Sequence, residues 1–187
     1  MQSKAIIIAL LFIAGASCSV SDNIPFCYFP EIFTGVTMQV SPAVVDVQSY
    51  MGTWFEQARM PAVFQIDCIC ASATYSLNPA GYVNVHNACY SKAGKERSAD
   101  AKAYSRNANN TKLNVYFSES FNIPGSYWIL DIAEDYSWVV VGEPCRTMAW
   151  ILSRVTQLDQ SIVESKIALL QQKGYDVSKI IKRDAFC

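Results

Sequence analysis

The chain has 187 residues, 51% hydrophobic and 17% charged, enough for one domain with a substantial core and too few for two comfortable ones. Lys and Arg number 15 against 16 Asp and Glu, and no run of basic residues stands out, so nothing is available to neutralise a row of phosphates. No nucleic acid is expected as a partner.

Lys4, the apolar run Ala5 to Ala14 and the small residues after it read as a secretory signal over residues 1–18, too short to span a bilayer. Cleavage after Ala16 fits the Ala14-x-Ala16 pattern. Cleavage after Cys18 leaves Cys27, Cys68, Cys70, Cys89, Cys145 and Cys187, an even set, and the domain is taken from residue 19. A third reading makes Cys18 a lipid-bearing N-terminus in a bacterial periplasm or outer membrane, although Gly15 stands where a large aliphatic residue is expected. Export and cysteine content agree, because disulfides persist in oxidising compartments. Zinc is poorly supplied: Cys68 and Cys70 are one residue apart rather than two to four, and His86 is the only histidine. We therefore expect no metal and no cofactor.

Residues 19–49 form an N-terminal arm; up to about residue 43 they carry three of the seven prolines and no sustained periodicity, so the arm is expected to lie over the domain. From Trp54 onward short β-rich runs alternate with turn residues at intervals of about ten, the pattern of an all-β barrel or sandwich. Strands are predicted near 53–60, 69–77, 81–90, 97–105, 111–118, 126–133, 136–142 and 147–154. Eight such strands would close a small barrel. Asn78-Pro79-Ala80-Gly81 is a turn sequence that makes the second and third strands an antiparallel hairpin.

Alternation within the strands sorts inward from outward residues. On the second strand Ala71, Ala73, Tyr75 and Leu77 are read as inward. Val83, Val85, Asn87 and Cys89 follow on the third, Ala99, Ala101 and Ala103 on the fourth, and Leu113, Val115 and Phe117 on the fifth. Trp138 with Val140, and Trp150 with Leu152, are taken as the inward sets of the seventh and eighth. Glu56 shares the inward parity of Trp54, either as a hydrogen-bonded group near the closed end or as an anchor for a ligand head group. The three alanines on one strand leave room for a guest, or let neighbouring aromatics pack tightly. His86 falls on the outward, solvated face. Asn109-Asn110-Thr111 is an N-glycosylation sequon in a polar stretch, which makes Asn109 the candidate glycan site. Near Leu158 the period changes: Asp159 can cap a helix with Ile162, Val163, Ile167 and Leu170 on one face, ending at Gly174. A last strand is predicted over 180–186.

From about Tyr50 to Cys187 the chain resembles the lipocalin family. The likeness is carried by Gly52-Thr53-Trp54, Met60-Pro61, Asp135-Tyr136, Val141-Gly142-Glu143-Pro144, Trp150-Ile151-Leu152-Ser153-Arg154 and Gly174-Tyr175-Asp176, in the family's order and spacing. It is most similar to the branch of apolipoprotein D, bacterial lipocalins and plastid lipocalins. Asp67-Cys68-Ile69-Cys70 followed by Cys89 resembles the plastid members, but a short secretory signal stands where they carry a long transit peptide. The resemblance implies an eight-stranded antiparallel up-and-down β-barrel, a calyx with one C-terminal α-helix packed outside. It also implies that Trp54 and Arg154 are a structural stacked pair at one end. Cys70 would be tied to Cys187, Cys68 to Cys89 across the hairpin, and Cys27 to Cys145; Cys70 with Cys89 is the main competitor.

The implied function is a secreted protein that carries a fatty acid, lysolipid, sterol, retinoid or pigment. Glu56, Ala73, Tyr75, Val85, Asn87, Val115, Phe117, Trp138 and Trp150 are the expected ligand contacts. The alternative is a lipocalin-type enzyme, an isomerase or de-epoxidase, for which a free Cys89 would be the first nucleophile to consider. A membrane-associated role in lipid capture is a third reading, and a monomer or weak dimer is expected.

Overall fold

The computed structural model describes residues 38–117 and 124–187. The secretory signal, Cys18 and Cys27 lie outside the described residues. Eight strands follow one another: β1 (Gly52–Arg59), β2 (Cys68–Leu77), β3 (Val83–Ser91), β4 (Glu96–Ser105), β5 (Lys112–Tyr116), β6 (Gly125–Ile132), β7 (Trp138–Gly142) and β8 (Ala149–Ser153). Each pairs antiparallel with the next, and β1 pairs with both β2 and β8, which closes the barrel. A short helix α1 (Val47–Tyr50) precedes β1, and α2 (Gln160–Gln172) follows β8.

Local sequence accounts for the punctuation. In the β2–β3 turn the Asn78 side chain accepts from Ala80 N at 2.9 Å, and Gly81 takes the positive φ that closes the hairpin. Asp159 caps α2 by accepting from Ser161 N at 2.7 Å, and Gly174, at φ +89°, ends it. Val163 and Leu170 bury that helix against the outside of the barrel, on Trp128, Val140, Ala149 and Ile151. The described chain ahead of α1 packs on the barrel: Met38 is buried in the same outer layer, and Ser41 N donates to Ile129 O.

A bulge between Glu56 and Ala58 bends β1 away from β2. The edge it vacates is taken by β9 (Ile181–Lys182), which pairs with Ala58 and Arg59. The predicted strand over 180–186 is thus two residues long. The chain beyond it is held by side chains instead, Arg183 donating to Glu56 O and Cys187 O at 3.0 Å each.

The reading of β7 needs correction. Val139 and Val141 face the barrel interior, whereas Trp138 and Val140 face α2. Trp138 lies under Lys166, whose ammonium is 3.8 Å from the ring centroid, so it is not an interior ligand contact. The physical reason is that α2 covers the outer face. Val139, Val140 and Val141 are all 0% exposed, so hydrophobicity does not alternate and parity carries no information there. A further bulge between Ile129 and Asp131 shifts the β6–β7 register.

Candidate functional site: an interior cavity with a hydroxyl floor

One end of the barrel is closed by α1, the helical turn just before β1. Asp46 caps α1 by accepting from Ser49 N at 2.6 Å, and this turn carries Tyr50 beneath the strands. Trp54, 0% exposed, donates its indole N–H to Tyr50 O at 2.9 Å. The Arg154 guanidinium sits 3.8 Å above the Trp54 ring and donates to Thr53 O and Ser49 O at 3.0 and 2.9 Å. The pair ties α1 and β1 to the end of β8.

Above that plug is a cavity of about 860 Å³. Ala73, Tyr75, Val85, Asn87, Val115, Phe117, Trp150 and Glu56 all line it, so of the nine expected contacts only Trp138 lies elsewhere. The small residues Ala99 and Ala103 on β4 also face it, which is what leaves the space open. Asn87, opposite both Ala73 and Ala99, brings a polar amide to a largely apolar wall. Phe117 is 53% exposed and stands at the rim.

Glu56 is not at the closed end. Its carboxylate accepts from Gln65 Nε2 at 3.0 Å and pairs with Arg59 Nε at 3.1 Å, facing the loop between β1 and β2. Burial raises its pKa, while Gln65, Arg59 and Arg183 act in the opposite direction. Gln65 also accepts from the Trp150 indole N–H at 2.9 Å, and Phe64 stacks on Trp150 at 6.4 Å. Glu56 and Trp150 therefore hold the Val63–Gln65 turn across the mouth.

Two site residues escaped the sequence reading. Tyr127 on β6 and Tyr50 on α1 point into the cavity beside Tyr75, and the three hydroxyls meet: Tyr50 Oη to Tyr127 Oη is 2.7 Å, Tyr75 Oη to Tyr127 Oη 3.1 Å. Burial is the main cause that pushes all three pKa values well above the ordinary phenol value, so at neutral pH they are uncharged hydroxyls. β6 hides its parity for the reason β7 does: Trp128 and Leu130 are buried under α2 while Ile129 is buried inside.

The disulfides are Cys68–Cys89 and Cys70–Cys187, closing 21 and 117 residues. Cys89 opposes a bulge between Ile69 and Ser72, where Cys70 adopts φ +51°. That extra residue lets Cys68 reach Cys89 and leaves Cys70 for the C-terminus, which decides against the Cys70–Cys89 alternative. Cys145 is also disulfide-bonded; its expected partner Cys27 lies outside the described residues. His86 does face outward, 2.6 Å from Asp100 Oδ1 on the neighbouring strand. Among the described residues no cluster of His, Cys, Asp and Glu could hold a metal ion.

A closed eight-stranded barrel with an apolar interior, one plugged end and an external helix defines a class of small-molecule containers. The chain matches the Lipocalin-like domain over residues 45–185 and belongs to the lipocalin family, whose barrels bind small hydrophobic ligands. It is 35% identical over 146 residues to temperature-induced lipocalin-1 of Arabidopsis thaliana, covering 74% of this chain and 78% of that protein. It is 33% identical over 157 residues to the outer membrane lipoprotein Blc of Escherichia coli K12, covering 83% and 86%. The structure of insecticyanin from the tobacco hornworm Manduca sexta superposes with a TM-score of 0.63 at 20% identity, over 78% of this chain and 84% of that one.

Proposed function

We propose that this protein is a secreted carrier that takes up a fatty acid, lysolipid, sterol, retinoid or pigment in its barrel. The observation that carries the reading is the cavity of about 860 Å³, roofed by Phe64 and Trp150 and walled by Ala73, Val85 and Val115. Affinity would come from apolar burial, about 25 cal/mol per Å² removed from water, and orientation from the few polar groups within. Export is supported by the secretory pattern of residues 1–18, by the disulfides and by the exposed position of Asn109 in the β4–β5 turn. Catalysis by a Cys89 thiolate has no support, since that sulfur is bonded to Cys68.

Native mass spectrometry of the oxidised protein, before and after organic extraction and with alkylation of free thiols, tests the proposal. The expected result is an adduct that leaves on extraction, with no cysteine alkylated. A barrel that is empty before extraction and carries one reactive thiol would move the weight to an enzyme.

A further inference from the structure

The three hydroxyls on the cavity floor leave one hydrogen over. Each phenol brings one hydrogen and two lone pairs. The contacts of Tyr127 with Tyr50 and with Tyr75 use two hydrogens, in whichever direction donation runs, and the trio owns three. Among the described residues no further hydrogen bond reaches any of these oxygens. One O–H is therefore left without an acceptor among the described residues, with free lone pairs beside it, where the three tyrosines line the cavity and Tyr50 and Tyr75 are each only 7% exposed. A buried donor without a partner is costly, and native interiors rarely keep one unless something else comes to meet it.

We propose that the Tyr50–Tyr127–Tyr75 trio is the recognition site for the polar end of the ligand, and that it takes one neutral oxygen, a hydroxyl or a carbonyl, rather than a carboxylate. This rests on the container reading above. A carbonyl oxygen accepts the spare O–H. An alcohol does so as well and donates its own hydrogen to a free lone pair. A carboxylate would be stripped of water on this floor without a cation free to pair with it: the charge of Arg154 is felt at Tyr50 and Tyr75, but its guanidinium is stacked on Trp54 and donates to Thr53 O and Ser49 O. The charged residues that line the cavity, Glu56 and Arg97, are both engaged at the mouth, Glu56 with Gln65 and Arg59, and Arg97 by donating to Ile66 O in the β1–β2 loop. The ligand class is therefore a long apolar molecule ending in an alcohol, aldehyde or ketone, inserted oxygen first, its body running past Ala73, Val85 and Val115 toward Phe64 and Trp150.

The same count shapes the test. Removing one tyrosine hydroxyl still leaves at least one spare O–H, so single variants keep the preference and only the triple variant Tyr50→Phe/Tyr75→Phe/Tyr127→Phe erases it. That variant leaves no orphaned partner, and a native fold is expected. Retinol, retinal, ionised retinoic acid and the oxygen-free hydrocarbon anhydroretinol share one skeleton. They are titrated at neutral pH by tryptophan quenching, beside hexadecan-1-ol and palmitate as linear probes. In the wild type, retinol and retinal should bind about fivefold or more tighter than anhydroretinol, the worth of one neutral hydrogen bond. In the triple variant that ratio should fall to about one with anhydroretinol affinity retained. The carbonyl stretch of bound retinal, which needs no variant, should shift to lower frequency in the wild-type complex. Retinoic acid or palmitate binding tightest, an unshifted carbonyl, or an alcohol preference that survives in the triple variant would each overturn the assignment while leaving the container intact. If no probe of either series binds saturably to natively folded protein, the container reading itself fails.

Discussion

Replacing Arg154 by alanine should destabilise the barrel by about 2–4 kcal/mol without touching the ligand cavity. The guanidinium 3.8 Å over Trp54 is worth about 1–2 kcal/mol when shielded. Its hydrogen bonds to Thr53 O and Ser49 O, at 3.0 and 2.9 Å, are charge-assisted and worth about 1.5–3 kcal/mol each when desolvated. Arg154 is only half-buried, so solvent screening removes roughly half of that total. In a chain of 187 residues the loss corresponds to a fall in Tm of roughly 5–15 °C. Arg154→Lys separates the contributions: an ammonium can stay over the ring but cannot reach both carbonyls, so about half the loss should remain. Urea unfolding by tryptophan fluorescence reads both variants, and a cycle with Trp54→Phe should show a coupling of about 1 kcal/mol. If Arg154→Ala unfolds within about 0.5 kcal/mol of wild type, the ordinary range for a surface substitution, the stitching of α1, β1 and β8 by this pair is wrong.

Three other outcomes can be read from the same geometry. Replacing Cys70 and Cys187 by serine should cost roughly 4–5 kcal/mol and replacing Cys68 and Cys89 roughly 3 kcal/mol, because the first pair closes 117 residues and the second 21; equal losses in urea would count against the chain-entropy account. Glu143, 4% exposed, accepts from Cys145 N, Thr147 N and Met148 N at 2.7, 2.5 and 3.0 Å, so Glu143→Ala should cost about 3–4 kcal/mol by orphaning three amides, and a calorimetric loss under 1 kcal/mol would contradict this. Tyr50, Tyr75, Tyr127 and Tyr175 all have pKa values raised above the ordinary 10.0, chiefly by burial. The folded state therefore keeps protons that the unfolded chain loses, and their contribution to stability is complete below pH 10 and lost as pH rises through the folded values. In an alkaline titration, phenolate absorbance from these four should appear only together with loss of the near-UV circular dichroism.

How far the fold could be read from residues follows from how much water each strand meets. Strands β2 to β5 have one wet face, so Ala73 and Tyr75, Val83 and Val85, Ala101 and Ala103 alternate with polar neighbours, and both their position and their direction were legible. From β6 onward α2 dries the outer face. The position of β7 remained legible from its length and its flanking turns, but its direction did not, and Trp138 was assigned to the wrong side. Cysteine pairing is a similar case. A turn centred on Pro79 and Ala80 sets Cys70 opposite Cys89, whereas the observed register pairs Ala73 with Asn87 and the residue inserted between Ile69 and Ser72 brings Cys68 to the face of Cys89; no turn residue or glycine marks that bulge.

The cavity floor was illegible for a further reason. Tyr75 announces itself by alternation, but a lone tyrosine on an inner face says nothing about where its hydroxyl is satisfied. The answer depends on α1, a four-residue helix with no periodicity to detect, and on the Asp46 cap that turns Tyr50 under the barrel. It also depends on Tyr127, which arrives from a strand with both faces buried. Three elements separated by up to 77 residues thus converge on one pair of hydrogen bonds. The container was readable from short-range pattern because closing a sheet needs only strands and turns. The chemistry inside was not, because it rests on which side chains meet across the closed barrel. Glu56 makes the same point at the opposite end: its parity was right, yet only the path of the chain through Gln65 decides that its carboxylate fastens the mouth.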